Sequence, residues 1–205
     1  DVYDNFRYEI NFPWMAANAI NITNEKPYFE PYTIIERGGV RIAVLGLTTP
    51  GVTGWLPEKL WSGIKFDDMI ESAEKWVAII REKENPDILV GLFHSGVDHT
   101  YSGEDEDTYK NENASQLVAE RVPGFDAVFV GHDHAGWNFK IENEDGDSVL
   151  ILGPLSRART IAVADIQLEF DSASLKWKKK NISGEIIETK DYKPDDHFMS
   201  KFLLN

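Results

Sequence analysis

Three short apolar runs constrain the fold of this chain more than any other feature of its sequence. Residues 40–47, 88–93 and 125–130 are almost continuously hydrophobic, as strands are when both faces of their sheet are covered. Two segments place apolar side chains at helical spacing: residues 67–83, which precede the second run, and residues 113–122, which precede the third. Strands and helices therefore alternate, which predicts an α/β domain with these three strands in one sheet and both helices on one face of it.

The other predicted strands form antiparallel hairpins. Turn dipeptides separate the two strands of each hairpin: Gly38-Gly39, Asp145-Gly146 and Asp171-Ser172. The paired glycines tolerate the positive φ that a tight hairpin turn requires. No internal repeat or low-complexity tract interrupts the chain. Residues 1–205 are therefore predicted to form a single domain, in which residues 195–205 begin a helix that leads into a linker.

Both predicted helices carry capping residues at their starts. Asp67 is predicted to cap the first helix, which Asn85-Pro86 ends. Asn113 is predicted to open the second helix, with Gln116 three residues later in position for a capping box. Each helix is therefore expected to begin at one of these polar side chains.

The charge balance limits the partners that the chain can bind. Its formal net charge is −14, and its Lys and Arg residues are scattered apart from the run at residues 178–180. A nucleic-acid polymer is therefore not an expected partner, since such polymers bind to basic clusters. If the chain handles phosphate, a metal ion is the obvious source of positive charge. The chain has no Cys, which excludes thiolate ligands, and no apolar run approaches the roughly 18–20 residues of a membrane span.

Three histidines directly follow two of the predicted strands. His94 comes after residues 88–93, and His132 and His134 lie on one turn after residues 125–130. Ligands collect at the carboxyl ends of strands in α/β sheets, so the three imidazoles are expected to converge on one cleft. A lone histidine at a strand end is more often a hydrogen-bonded structural residue. Three neutral imidazoles together can hold Zn, Mn, Fe or Ni, and the set therefore predicts a metal site.

Other candidate residues have both a functional and a structural interpretation. Arg157 and Arg159 precede a predicted strand and could face phosphate, although a salt bridge to a carboxylate is the commoner role. Trp55 and Trp61 could wall a base pocket, although hydrophobic cover for the sheet is the commoner role. His99 lies in an acidic loop that does not match the spacing of a calcium-binding loop.

Five segments together resemble a known family. Phe93-His94-Ser95-Gly96 and Gly131-His132-Asp133-His134 resemble the last two metal motifs of calcineurin-like metallophosphoesterases. Residues 12–18, 40–50 and 161–166 resemble the branch of 5'-nucleotidases and 2',3'-cyclic-nucleotide phosphodiesterases. The resemblance covers most of the chain, and the ordered set is much more specific than any single motif.

The resemblance implies a four-layer αββα sandwich that carries two metal ions about 3.5–4 Å apart. In that pattern His94 and His132 bind one ion and His134 binds the other, and the two divalent ions are Zn, Mn, Fe, Ca or Mg. The family's other ligands and its catalytic histidine come from Asp-x-His, Gly-Asp and Gly-Asn-His motifs, none of which precedes His94 here. The chain is therefore expected to be the C-terminal portion of the catalytic domain, and no catalytic residue is assigned within it.

The resemblance also implies a chemistry, which is metal-dependent hydrolysis of phosphate esters. The expected substrates are 5'-nucleotides, sugar nucleotides or 2',3'-cyclic nucleotides. The expected partners are the upstream half of the domain and a C-terminal substrate-binding domain, in an extracytoplasmic protein, and this chain alone is expected to be inactive. Two alternatives stay open: a non-catalytic metal-binding or scaffold module, and a branch of the same fold that acts on non-nucleotide substrates.

Overall fold

The structure, a computed structural model, describes residue 5, residues 9–193 and residues 195–200. The strands in chain order are β1 (Ala19–Asn21), β2 (Tyr32–Arg37), β3 (Val40–Thr48), β4 (Ile64–Phe66), β5 (Ile88–His94), β6 (Ala127–Val130), β7 (Trp137–Glu142), β8 (Ser148–Gly153), β9 (Thr160–Asp171) and β10 (Lys176–Glu188). The α-helices are α1 (Val52–Trp55), α2 (Met69–Lys83), α3 (Ser115–Arg121) and α4 (Asp196–Ser200). Short 3-10 helices lie at Glu58–Leu60 and Tyr101–Gly103.

A mixed sheet forms the centre of the fold. Within the described residues it has six strands in the order β2-β3-β5-β6-β8-β7. Its four inner strands, β3, β5, β6 and β8, run parallel, and β2 and β7 pair antiparallel at the two edges. The three apolar runs are thus three neighbouring parallel strands, which confirms the predicted α/β class.

Helices α2 and α3 cover one face of this sheet. Leu45, Leu89 and Val128 project from β3, β5 and β6 into one buried cluster, in which each has 0% of its surface exposed. Met69 of α2 and Val118 of α3 belong to the same cluster and are equally buried. The prediction that both helices share one face is confirmed.

The opposite face of the sheet is covered only in part. The β9–β10 hairpin packs Ile182 against Ala127, Leu150 and Leu152, which belong to β6 and β8. It does not reach the carboxyl end of β5, where the side chain of Leu92 is 49% exposed. The expectation that the apolar runs are covered on both faces is therefore wrong for the carboxyl end of β5, because the hairpin approaches this strand only near its start, where the N–H of Trp177 donates to Asp87 Oδ1 at 3.1 Å.

The predicted hairpins are present. Between β2 and β3, Gly38 and Gly39 have φ of 57° and 80°, the left-handed conformation that glycine adopts without steric cost. The β7–β8 and β9–β10 pairs are antiparallel as predicted, and a bulge between Lys179 and Asn181 shifts the register of the second pair. The second pair forms a sheet of its own beside the central one.

The helix starts differ from their predicted positions. Helix α2 begins after Asp68, whose Oδ1 accepts hydrogen bonds from the N–H groups of Ile70 (2.8 Å) and Glu71 (3.1 Å). Asp67 is therefore not the cap, and its side chain lies 3.4 Å from Lys65 instead. Helix α3 begins at Ser115, and no side chain caps it. The predicted capping box is therefore absent.

We expect Asp68→Ala to lower the free energy of unfolding by about 2–3 kcal/mol, because three N–H groups lose their acceptor. Besides capping α2, the Asp68 carboxylate accepts a hydrogen bond from the N–H of Lys110 at 2.9 Å, and the residue is 5% exposed. Urea denaturation measures the loss. Asp67→Ala is the matched control and should cost about 0.5 kcal/mol or less, as exposed ion pairs do. Equal losses for the two variants would contradict the assigned cap.

The last helix covers only part of its predicted range. Helix α4 spans Asp196–Ser200 of the predicted 195–205, and residues 201–205 lie outside the described residues. Among the helices that the structure describes, none is long and apolar enough to cross a bilayer.

Candidate metal centre

Two of the three predicted histidines meet at the carboxyl edge of the parallel strands. His94 is the last residue of β5, and His132 lies two residues beyond the end of β6. Strands β5 and β6 are in register at Phe93 and Val130, so their ends are level. The imidazole centroids of His94 and His132 are 5.4 Å apart, with an interplanar angle of 68°. The parallel pairing of two adjacent strands therefore brings both rings to one place.

The turn after β6 holds two histidines in an uncommon backbone conformation. His132 and His134 have φ of 85° and 58°, in the left-handed region that non-glycine residues seldom occupy. Such residues cost about 1–3 kcal/mol and cluster at functional sites, where the surrounding contacts hold them. Asp133 supplies contacts of this kind, since its Oδ2 accepts hydrogen bonds from Trp137 Nε1 (2.8 Å) and the N–H of Val97 (3.1 Å).

The serine after His94 anchors a second loop to the site. Ser95 Oγ donates to the carbonyl of Glu112 at 2.8 Å and accepts from the N–H of Ala114 at 3.1 Å. The Ser95 carbonyl accepts a hydrogen bond from Ser115 Oγ at 2.8 Å. These hydrogen bonds therefore attach the loop before α3 to the segment that directly follows His94.

Gly96 allows this loop and the His132 turn to approach each other. A Cβ atom at Gly96 would lie 2.1 Å from Asn113 Oδ1 and 3.1 Å from Asp133 Cβ. Any side chain at this position would push the two loops apart. The Ser-Gly pair that follows His94 therefore has a structural role at the site, which explains why the motif extends beyond the histidine.

His132 has two further neighbours that the sequence did not indicate. Glu112 Oε1 lies 3.0 Å from His132 Nε2. Trp55 stacks on the ring with centroids 4.8 Å apart and an interplanar angle of 16°. Trp55 is 46% exposed, so it is not the hydrophobic cover for the sheet that is its commoner role, and it lies at the candidate site instead. The sequence could not indicate Glu112, because it lies 20 residues from His132 in the chain and the two meet only through the tertiary fold.

The surroundings of His94 favour its neutral form. Partial burial lowers the pKa of the His94 imidazole, and the nearby His132 and His134 lower it further when they are charged. Neutral imidazole is the form that binds metal ions. A cavity of about 610 Å³ opens beside His94 and is lined mainly by apolar side chains, among them Trp61 and Leu92. Trp61 also packs against the small cluster around Phe66, as cover for the fold.

His134 lies on the same turn but faces a different cavity. This cavity of about 430 Å³ is lined by His134, Ser156, Arg157 and Arg159. Arg159 donates to the Ser156 carbonyl at 3.1 Å and to its Oγ at 3.3 Å. Neither arginine forms an ion pair with a carboxylate of the described residues. The salt bridge to a carboxylate, which is the commoner role for such arginines, is therefore not observed among the described residues.

The donors fit part of a metal site. His94 and His132 present nitrogen donors of the type that Zn, Mn and Fe accept. In the part of the chain that the structure describes, no group of three or more His, Asp or Glu residues is placed to hold an ion by itself. The two rings therefore fit one side of a coordination shell, which further donors would have to complete.

Sequence comparison identifies relatives that act on nucleotides. No model of a known protein family matches the chain. A 2',3'-cyclic-nucleotide 2'-phosphodiesterase/3'-nucleotidase of Yersinia enterocolitica is 35% identical over 135 residues, which cover 60% of this chain and 19% of that protein. A 5'-nucleotidase of Vibrio cholerae is 38% identical over 94 residues, which cover 46% of this chain and 17% of that protein. The matched segments of the chain thus cover less than a fifth of the length of either relative.

Structural comparison identifies the fold. The calcineurin-like phosphoesterase YfkN of Bacillus subtilis superposes with a TM-score of 0.77 over 94% of this chain and 61% of that one, at 22% sequence identity. The chain is therefore homologous to 5'-nucleotidases and 2',3'-cyclic-nucleotide phosphodiesterases, and it has the fold of the calcineurin-like phosphoesterases.

Proposed function

We propose that this chain forms part of a metal-dependent phosphoesterase that hydrolyses nucleotides, and that His94, His132 and His134 are metal ligands in it. The observation that carries the proposal is the proximity of His94 and His132 at the ends of β5 and β6. Their ring centroids are 5.4 Å apart. The names of the relatives support a nucleotide as the substrate.

The chain's own residues have two tasks in this proposal. Its imidazoles hold divalent metal ions, which, when bound, supply Lewis-acid stabilisation of the phosphate and an activated water. Arg157 and Arg159 line the cavity that His134 also lines, and guanidinium groups bind phosphate oxygens through charged hydrogen bonds. In a chain with a net charge of −14, these two cationic groups help to attract an anionic substrate to the cavity beside His134.

Activity profiling tests the function and its two rivals. A longer protein that contains this chain would be assayed with Mn²⁺ or Zn²⁺ on 5'-, 3'- and 2',3'-cyclic nucleotides, on sugar nucleotides and on non-nucleotide esters. Turnover of nucleotides in preference to the other esters is expected. Preference for a non-nucleotide ester would favour another branch of the fold. Metal binding without any turnover would favour a scaffold module.

Two further features of the whole protein are proposed on the resemblance. They are an extracytoplasmic location and an additional C-terminal domain that grips the base. Fractionation of cells checks the first, with the protein expected outside the cytoplasmic fraction. Crosslinking of a photoreactive nucleotide checks the second, with label expected outside residues 1–205.

We expect Arg157→Ala and Arg159→Ala each to raise KM for a nucleotide about 10-fold with a smaller change in kcat, as the loss of a charged hydrogen bond does. Steady-state kinetics of the longer protein measure the effect. Arg121→Ala is the matched control, because Arg121 pairs with Glu106 at 3.3 Å and does not line the cavity beside His134. An unchanged KM in both variants would remove the arginines from the substrate site.

A further inference from the structure

Glu112 and His132 form a contact that the proposed function does not use. Glu112 Oε1 lies 3.0 Å from His132 Nε2, and the two side chains are 22% and 20% exposed. The contact joins the loop before α3 to the turn after β6. It is therefore a tertiary contact between two loops, made at a ring that is also a candidate metal ligand.

The contact determines which ring nitrogen of His132 is free. An ionised carboxylate only accepts hydrogen bonds, so the nitrogen that faces it carries the proton. In neutral imidazole the other nitrogen then has the lone pair, and that nitrogen is Nδ1. Glu112 thereby leaves Nδ1 of His132 available as a donor.

The ring has little freedom to leave this arrangement. Trp55 stacks on it and in turn covers Gly51, where a Cβ atom would lie 2.6 Å from the indole. The edge-to-face contact with His94 constrains the ring further. Rotation of the imidazole would break the bond to Glu112 and disturb both aromatic contacts.

Glu112 is itself held in place through its backbone. Its N–H donates to Glu104 Oε2 at 3.1 Å, and its carbonyl accepts from Ser95 Oγ at 2.8 Å. Ser95 directly follows His94, so the segment that carries one histidine positions the carboxylate that orients the other. The orientation of His132 is therefore tied to the position of His94.

We propose that Glu112 is a positioning residue of the metal centre, which fixes His132 with Nε2 protonated and Nδ1 free to bind the ion. This role rests on the proposed function, since it presupposes that His132 is a ligand. Glu112 acts through the imidazole and does not itself bind the ion.

The first test needs no metal. In the ¹⁵N-histidine-labelled chain at pH 8, the Nε2 proton of His132 should give a slowly exchanging, downfield NMR resonance, because a carboxylate binds and shields it. The resonance should persist in Glu112→Gln, whose amide oxygen still accepts, and disappear in Glu112→Ala. Glu120→Ala is the matched control, because Glu120 bonds to Gln116 at 2.7 Å. A wild-type resonance that arises from Nδ1, or one that survives in Glu112→Ala, overturns the inference.

The second test measures Zn²⁺ affinity of the same chains by competition with a chelator. Glu112→Ala should bind about 10–100-fold more weakly than wild type, and Glu112→Gln should recover part of the loss. The Nε2 resonance should also remain when Zn²⁺ is added to wild type. Its loss would mean that Glu112 moves to the ion, which overturns the positioning role. Equal affinity in wild type and Glu112→Ala overturns that role alone, whereas no Zn²⁺ binding either by wild type or by a longer protein that contains this chain overturns the proposed function with it.

Discussion

Replacement of His132 by alanine is expected to lower phosphate-ester turnover at least about 100-fold in a longer protein that contains this chain. His132 is the residue on which the site contacts converge: Trp55 stacks on it, Glu112 bonds to it and His94 meets its edge. Its loss removes a proposed metal ligand and leaves the Glu112 carboxylate without its partner. A displacement of the reacting groups by about 1 Å already costs roughly 100-fold.

The measurement is kcat and KM with Mn²⁺ or Zn²⁺, together with metal content after dialysis. Circular dichroism verifies that the variant folds. His99→Ala is the matched control, because the side chain of His99 makes no hydrogen bond among the described residues, and its backbone carbonyl accepts one from Asn111 Nδ2 at 2.9 Å. Turnover within about 2-fold of wild type in His132→Ala would exclude a metal-ligand role for this residue.

The central sheet could be predicted from the sequence because buried strands are composed almost entirely of apolar residues. Strands β3, β5 and β6 lie between neighbours and under helices, so their residues are apolar almost without interruption. Turn chemistry is equally local, and Gly38-Gly39 marks the β2–β3 hairpin from two residues alone. Parallel strands end at one edge, which is why the proximity of His94 and His132 could be predicted.

Features that depend on tertiary contacts could not be predicted in this way. From the sequence alone, Asp67 and Asp68 are equally suitable N-cap residues for α2. Asp68 is favoured in part because its carboxylate also accepts a hydrogen bond from the N–H of Lys110, 42 residues away. The side chain of Asn113 packs on Gly96 and does not cap α3. Helix propensity is a weak guide wherever such contacts compete with it.

The same limit applies to the candidate site. Glu112 lies in a run of polar residues that indicates a solvated loop, and only its position beside His132 gives it a role. His134 was expected to converge with the other two histidines; it is near enough to His94 to lower the pKa of that imidazole when charged, and it also lines a cavity with Arg157 and Arg159. The spacing in the sequence places His134 on the turn, but it does not determine which cavity this residue lines.

The 205-residue chain by itself is expected to hydrolyse a generic phosphate ester at least about 100-fold more slowly than a longer protein that contains it. A two-metal site clamps both the attacking and the leaving oxygen and needs ligands that hold the two ions close together. In the described part of the chain, only the pair formed by His94 and His132 has imidazoles in contact, and no group of three donors is placed to hold an ion.

The comparison uses equal concentrations of the two proteins, with Mn²⁺ or Zn²⁺ in excess and the same ester. NMR of the chain verifies that it is folded, so that low turnover cannot result from unfolding. Low turnover with retained Zn²⁺ binding is the expected result, since two or three imidazoles can bind an ion without completing the centre. Comparable turnover from both proteins, abolished in the chain by His132→Ala, would contradict the prediction. It would require that the remaining ligands come from within these 205 residues.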